Sequence, residues 1–307
     1  MPITRREFAS LALGSLSLGM SEAKAATFPG ATDCHVHIIG PSSKYPMIGN
    51  RPYTPPEASV AELKTMHARL GISRTVLVQP SFYGTDNSCM LDALAQFGTS
   101  ARGIAVVAPN ASEQSLRDLD AKGVRGIRIN LESSGNRDPK AAGAMLAVYA
   151  KKVAPLNWHI QIFTVAPVIG RLISQIADSP VPVVIDHFGM PVAAEGYSSK
   201  GFGALVDLVH ARKAYVKLSA PYRISKLAGY KDAAAVAQTL IYAGRDRMLW
   251  GSDWPHTQQI PGHPVTEITP FSKIDDAAIF SLFNSWYPDE TTRKMILVDN
   301  PAKLYGF

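Results

Sequence analysis

Long apolar runs are missing from this chain. No stretch reaches the roughly 18 consecutive apolar residues of a membrane-spanning helix, so a mature protein without a membrane span, and soluble, is expected. Basic blocks are missing as well: the net charge is +6, yet no run of five Lys or Arg occurs, and nothing in the pattern points to nucleic acid. Two cysteines, Cys34 and Cys89, are too few for a disulfide framework; a single bridge between them stays open in an oxidising compartment. No glycine-rich phosphate turn follows an early strand, which argues against an open dinucleotide-binding sheet. Internal repeats and low-complexity segments are also missing. What is present is a chain of 307 residues, 46% hydrophobic, long enough to bury one large core.

The first 25 residues stand apart. Thr4-Arg5-Arg6-Glu7-Phe8 is followed by a mildly apolar run from Leu11 to Met20 and then by Ala23-Lys24-Ala25. That order is a twin-arginine export signal with a small-residue cleavage site. Cleavage after Ala25 is expected, with residues 26–307 carried to the periplasm already folded by the twin-arginine (Tat) export machinery. The leader holds Arg5, Arg6 and Lys24 against Glu7 and Glu22, so its loss lowers the net charge by one, to +5.

From residue 26 onward short apolar strands alternate with amphipathic helices. The first strand is Thr32-Asp33-Cys34-His35-Val36-His37-Ile38. Its period of two sets His35 and His37 on one side and Cys34 and Val36 on the other. Further strands are expected at Thr75–Gln79, Gly103–Val107, Gly126–Asn130, His159–Phe163, Val183–His187, Tyr215–Leu218 and Met248–Asp253. Helices are expected over Val60–Leu70, around Leu91–Phe97, and over Ser115–Ala121, Pro139–Val153, Val168–Ile176, Phe202–Arg212 and Ala233–Tyr242. Eight strands that are apolar nearly throughout, as strands buried on both faces must be, predict an α/β fold: a single-domain (β/α)8 TIM-like barrel. Two later helices, Ala277–Trp286 and Glu290–Val298, are expected on its outside or rim.

In such a barrel the carboxyl ends of the strands converge on one mouth. The groups offered there are His35, His37, Gln79, Arg128, Asn130, Gln161, Thr164, His187, Lys217 and Asp253. Three imidazoles and a carboxylate are a set able to hold or activate a water, with or without a metal.

Four stretches carry a resemblance. They are Asp33 with His35-Val36-His37, Asp186-His187-Phe188-Gly189, Trp250-Gly251-Ser252-Asp253-Trp254-Pro255-His256, and Asn300-Pro301-Ala302-Lys303-Leu304-Tyr305-Gly306-Phe307. Together the chain from about Ala31 to Phe307 resembles the amidohydrolase superfamily, and within it the amidohydrolase-related branch that includes 2-pyrone-4,6-dicarboxylate lactonase. The resemblance implies a barrel hydrolase with His35, His37, His187 and Asp253 as the catalytic set.

It also has departures. Many members bridge two metals with a carbamylated Lys or a Glu on the fourth strand and a His on the fifth. Here those ends carry Arg128, Asn130, Gln161 and Thr164, and His159 lies at the opposite end of its strand. A binuclear site is therefore not expected, and the resemblance to the lactonase-like branch implies an enzyme that requires no metal; a single divalent ion such as Zn2+, if bound, would take His35, His37, His187 and Asp253.

The expected reaction is opening of a carboxylated lactone, an activated ester, of the kind met in aromatic compound catabolism. Asp253 serves as general base on a water, and the three histidines donate to the oxyanion. The alternative is a Zn-dependent decarboxylase of an aromatic or muconate-like acid on the same barrel. Arg128 and Arg223 are expected to clamp a carboxylate or sulfonate in fork geometry. Tyr222 beside Arg223, and Ser81, Tyr83 and Asn87 in the second loop, would hold further substrate oxygens. Members acting on dicarboxylated lactones often place an Arg three residues after the sixth-strand histidine; Met190 stands there, which favours a substrate with fewer anionic groups.

Overall fold

The computed structural model describes residues 28–307 except 134, 136 and 288, so the expected export signal lies outside the described residues. Eight strands pair in parallel in the order of the sequence: β1 Thr32–Val36, β2 Arg74–Val78, β3 Ala101–Ala105, β4 Val124–Asn130, β5 His159–Phe163, β6 Val183–Ile185, β7 Ala214–Ser219 and β8 Met248–Gly251. The ring is joined between its first and last members. The amide of His37 donates to the Trp254 carbonyl at 2.9 Å, that of Asp253 to the His35 carbonyl at 2.9 Å, and that of Ser252 to Asp33 Oδ1 at 2.9 Å. The expected (β/α)8 barrel is the fold observed.

Helices cover the outside where the apolar periodicity placed them. α1 (Val60–Leu70) starts at a reciprocal Ser59/Glu62 capping box and stops at Gly71 in the left-handed conformation, which a residue without Cβ adopts freely. α2 (Ser88–Phe97), α3 (Glu113–Ala121) and α4 (Pro139–Val153) follow, the last capped by the Asp138 carboxylate on the amides of Lys140 and Ala141. The single helix expected over Val168–Ile176 is two, α5 (Ala166–Ile169) and α6 (Ile173–Ala177). They part at Gly170, which lies so close to Gly201 that a Cβ would approach its Cα at 3.0 Å. α7 (Phe202–His210), α8 (Pro221–Ile224), α9 (Ala233–Gly244) and α10 (Asp276–Trp286) complete the circuit. The expected Glu290–Val298 helix is shorter: α11 (Glu290–Lys294) widens into a π-helical turn over Met295–Asp299 before α12 (Asn300–Tyr305). Pro301 lacks the amide that would continue an ordinary helical ladder. The Asn300 side chain donates to the carbonyls of Arg245 and Met248, both at 2.8 Å, and so ties this tail to the start of β8.

Two details correct the sequence reading and matter for the site. Strands β1, β6 and β8 end earlier than expected, so His37, Asp186, His187 and Asp253 sit in the turns just beyond. His187 and Asp253 have φ of 49° and 67°, left-handed values that no strand accommodates. In β1 the pairing with β2 shifts register between Asp33 and Val36. Because of that irregularity Cys34 packs inside the barrel with Val76, Val78, Ile104, Val184 and Leu249, while Val36 joins the outer core. Cys34 and Cys89 are both buried and free. No helix among the described residues is long and apolar enough to cross a membrane.

Candidate active site

The turns after β1, β6 and β8 aim their polar side chains into the mouth of the barrel, where a cavity of about 250 Å³ opens. His37, His187, Asp253, Arg128, Arg223 and Ser81 line it, together with Tyr53, Phe163 and Arg137. Asp253 is the hub. Its Oδ1 lies 3.6 Å from His35 Nε2, 3.8 Å from His187 Nε2 and 4.0 Å from His37 Nε2. Its Oδ2 accepts from the Tyr222 hydroxyl at 2.6 Å and from Arg223 Nε at 2.9 Å, with Arg223 Nη2 paired to it at 2.8 Å. One oxygen is therefore saturated by donors while the other faces the imidazoles.

Beneath this layer lies a second carboxylate. Asp186 Oδ2 accepts from Gln161 Nε2 at 3.0 Å and from Arg128 Nη2 at 3.3 Å, and Lys217 Nζ approaches its Oδ1 at 3.6 Å. The Arg128 guanidinium also lies over the Phe163 ring, 5.3 Å from its centroid. A third carboxylate, that of Asp33, is a fastener. It holds the amides of His35 and Ser252 and meets His67 of α1 at 3.2 Å, joining β1, β8 and the first helix behind the site.

Burial dominates the titration of these groups. It pushes His37 and His187 down to about 4 and His35 well below its ordinary value, so all three rings are neutral near pH 7. Burial acts on Asp253 in the opposite sense, but Arg223 and the surrounding imidazoles override it and hold the carboxyl well below the usual range. Tyr222 is pushed upward by burial and by Asp253, so it keeps its proton and donates. His37 Nδ1 lies 2.7 Å from the Val78 carbonyl. A carbonyl only accepts, so Nδ1 carries the proton and the neutral ring turns a lone pair toward the site through Nε2. His187 Nδ1 meets the Ser219 hydroxyl at 2.8 Å.

The donor set suits a borderline cation such as Zn2+. Atoms of His35, His37 and Asp253 lie within 4.8 Å of one another, as do those of His35, Asp186 and His187. His35 Nε2 is buried with no hydrogen-bond partner, an orphan that a metal or a substrate oxygen would satisfy.

Not every expected residue arrives. Tyr83 is buried away from the cavity with its hydroxyl on the Gly40 amide at 3.2 Å. The Asn87 amide brackets the backbone, donating to Thr85 and Val106 and accepting from the Val106 amide. Their polar atoms are engaged by the chain itself and have nothing left for a ligand. Tyr222 is placed on Asp253 and is absent from the cavity lining. Two groups escaped the sequence reading of the site, and a third, Lys217, was given no role in it. Tyr53, whose hydroxyl meets Thr257 Oγ1 at 3.0 Å, sits in a long loop with no periodicity to place it. Asp186 stood in plain sight before His187, and Lys217 was noted only as a strand end. A lone lysine within the buried strand Ala-Tyr-Val-Lys-Leu-Ser was a usable signal, because lysine is rarely buried without a purpose.

Comparison with known proteins agrees with this geometry. A family model described as amidohydrolase matches residues 32–307. The 4-sulfomuconolactone hydrolase of Hydrogenophaga intermedia is 33% identical over 282 residues, covering 91% of this chain and 89% of that protein. The 2-pyrone-4,6-dicarboxylate hydrolase of Comamonas testosteroni is 32% identical over 287 residues, covering 90% of each. A crystal structure from Pseudomonas putida, described as a 2-pyrone-4,6-dicarboxylic acid hydrolase, superposes with a TM-score of 0.77 at 29% identity, over 90% of this chain and 97% of the other.

Proposed function

The chain belongs to the amidohydrolase superfamily, and from that membership we propose that it opens a lactone carrying a carboxylate or sulfonate by adding water across the ring ester. The observation that carries this reading is the split use of Asp253: one oxygen clamped by Arg223 and Tyr222, the other facing three neutral imidazoles under a cavity with arginines in its wall. The two relatives named above act, by their descriptions, on lactone rings bearing sulfonate or carboxylate groups.

The acidic group of the substrate pairs with Arg128 and Arg223, with Ser81 as a further donor in the wall. A water beside Asp253 Oδ1 gives that oxygen a hydrogen bond and attacks the ring carbonyl. His35 and His187 are the donors for the oxyanion. His37, with its proton engaged by Val78, accepts instead and holds the second hydrogen of the water, which replaces the uniform donor role expected for all three rings. A carboxyl held this acidic stores a proton poorly. It passes the proton on to the ring oxygen as the carbon–oxygen bond breaks, leaving a hydroxyl and a carboxylic acid, whose remaining proton, the hydrogen held by His37, is released to solvent to give the carboxylate. A divalent cation on His35, His37 and Asp253 would add charge to polarise a carbonyl and acidify a water. We propose that the ester is activated enough for the side chains to suffice.

The test is a screen of neutral, mono-anionic and di-anionic lactones on purified protein, before and after chelation, alongside elemental analysis. Ring opening of a mono-anionic lactone that survives chelation is the expected result. Carbon dioxide release from an aromatic or muconate-like acid, lost with a stoichiometric metal and unaccompanied by lactone opening, overturns it in favour of the decarboxylase. Export by the twin-arginine route belongs to the same proposal: the periplasmic form is expected to begin at Ala26, and an intact Met1 in that fraction contradicts it.

A further inference from the structure

Lys217 is fully buried in β7, beneath the histidines. Its ammonium offers three donors and no acceptor. Two of them meet Gln161 Oε1 at 2.6 Å and His35 Nδ1 at 3.3 Å, while Asp186 Oδ1 lies at ion-pair distance, 3.6 Å, without a hydrogen bond. The Gln161 amide is oriented by its own donation to Asp186, so its oxygen is the end left for Lys217. A nitrogen that faces an ammonium carries a lone pair, which puts the proton of the neutral His35 ring on Nε2. The rival arrangement would have His35 Nδ1 donate to Asp186 Oδ1, 3.3 Å away. That oxygen makes no hydrogen bond, so the ring is not aligned to give one. His37 is set the other way by the Val78 carbonyl, with its proton on Nδ1.

We propose that Lys217 is a positioning residue that fixes His35 in the tautomer opposite to that of His37, making the pair one donor and one acceptor and biasing the cluster against a divalent cation. A cation held by both rings needs a lone pair on each Nε2; Lys217 withholds one of them. It also places a buried positive charge behind the first ligand, added to those of Arg128 and Arg223 beside the cluster. The benefit for hydrolysis is that His35 meets an oxyanion with a proton already in place, while His37 meets a water with a lone pair. Only this catalytic benefit rests on the hydrolase reading; the tautomers and the metal preference do not.

The experiment is nitrogen-15 NMR of histidine-labelled protein, assigned with single histidine variants, together with Zn2+ titration of the wild type and of Lys217→Met. In the wild type His35 is expected as the Nε2–H form and His37 as the Nδ1–H form. In Lys217→Met, His35 turns to the Nδ1–H form, donating to Asp186, and one Zn2+ per chain binds about 10- to 100-fold more tightly than in the wild type. Zn2+ affinity equal to that of the wild type in a variant with a native circular dichroism spectrum overturns the proposal. So does a wild-type His35 protonated on Nδ1, a measurement that needs no variant and decides the matter if Lys217→Met fails to fold. Opposed tautomers in a protein that opens no lactone sink the hydrolase reading and leave this one standing.

Discussion

The two oxygens of Asp253 do different work, and a single substitution separates that work from the fold. Asp253→Asn keeps the shape and loses the acceptor charge, so kcat is expected to fall by about 10²- to 10⁴-fold while an anionic product analogue still binds. A variant with wild-type turnover on the substrate found in the lactone screen would remove Asp253 from the chemistry. The titration of the rings gives a second expectation. With His37 and His187 at about 4 and the Asp253 carboxyl lower still, the acid limb of kcat/KM lies near pH 4 rather than at the ordinary histidine value. A pH–rate profile with its limb near 6.5 would mean that neither buried ring governs the rate.

At the scale of the element, activity and stability part company. Asn300 supplies two bonds to the loop and strand start at Arg245 and Met248 and touches nothing in the cavity. Asn300→Ala leaves those carbonyls short of a donor, at a cost of about 1–3 kcal/mol. The urea midpoint should fall by the corresponding amount, with kcat and KM of the folded fraction unchanged; a loss of kcat at full stability would contradict this. The elements also explain what could be read from the sequence. Strand count, order and the helices were legible because parallel barrel strands are apolar throughout and Asp138 and Gly71 mark helix ends; the Ser59 cap of the first helix was not read. His35, His37, His187 and Asp253 were legible because strand ends in a barrel share one mouth. The partners of those groups were not. Whether Cys34 faces inward depends on a register shift in β1, and whether Tyr83 reaches a ligand depends on the path of the Gly40 loop. Neither leaves a periodic trace.

Across the whole molecule, the neutral histidines make acid the direction of weakness. The unfolded chain takes up a proton at His37 and His187 as pH falls below about 6.5, and the folded chain refuses it until about 4. Their contribution is full above the upper value and is lost on the way down to the lower one, on the order of 3 kcal/mol per ring. Asp253, whose folded pKa lies below its unfolded one, acts with the same sign at lower pH still. Calorimetry should record a melting temperature that falls steadily from pH 7 to pH 4.5; a flat profile would place the charged form of these rings in the folded protein.

The seam between β1 and β8 has a meaning in time as well as in space. The bonds that close the ring join Asp33 to Ser252 and His35 to Asp253, residues more than two hundred positions apart in the chain. Contacts of such long separation form late, because the intervening chain must first be gathered. The histidines of the first strand and the aspartate of the last lie on either side of this closure. The catalytic set is complete only when β1 and β8 are joined, so recovered activity during refolding reports this closure of the ring.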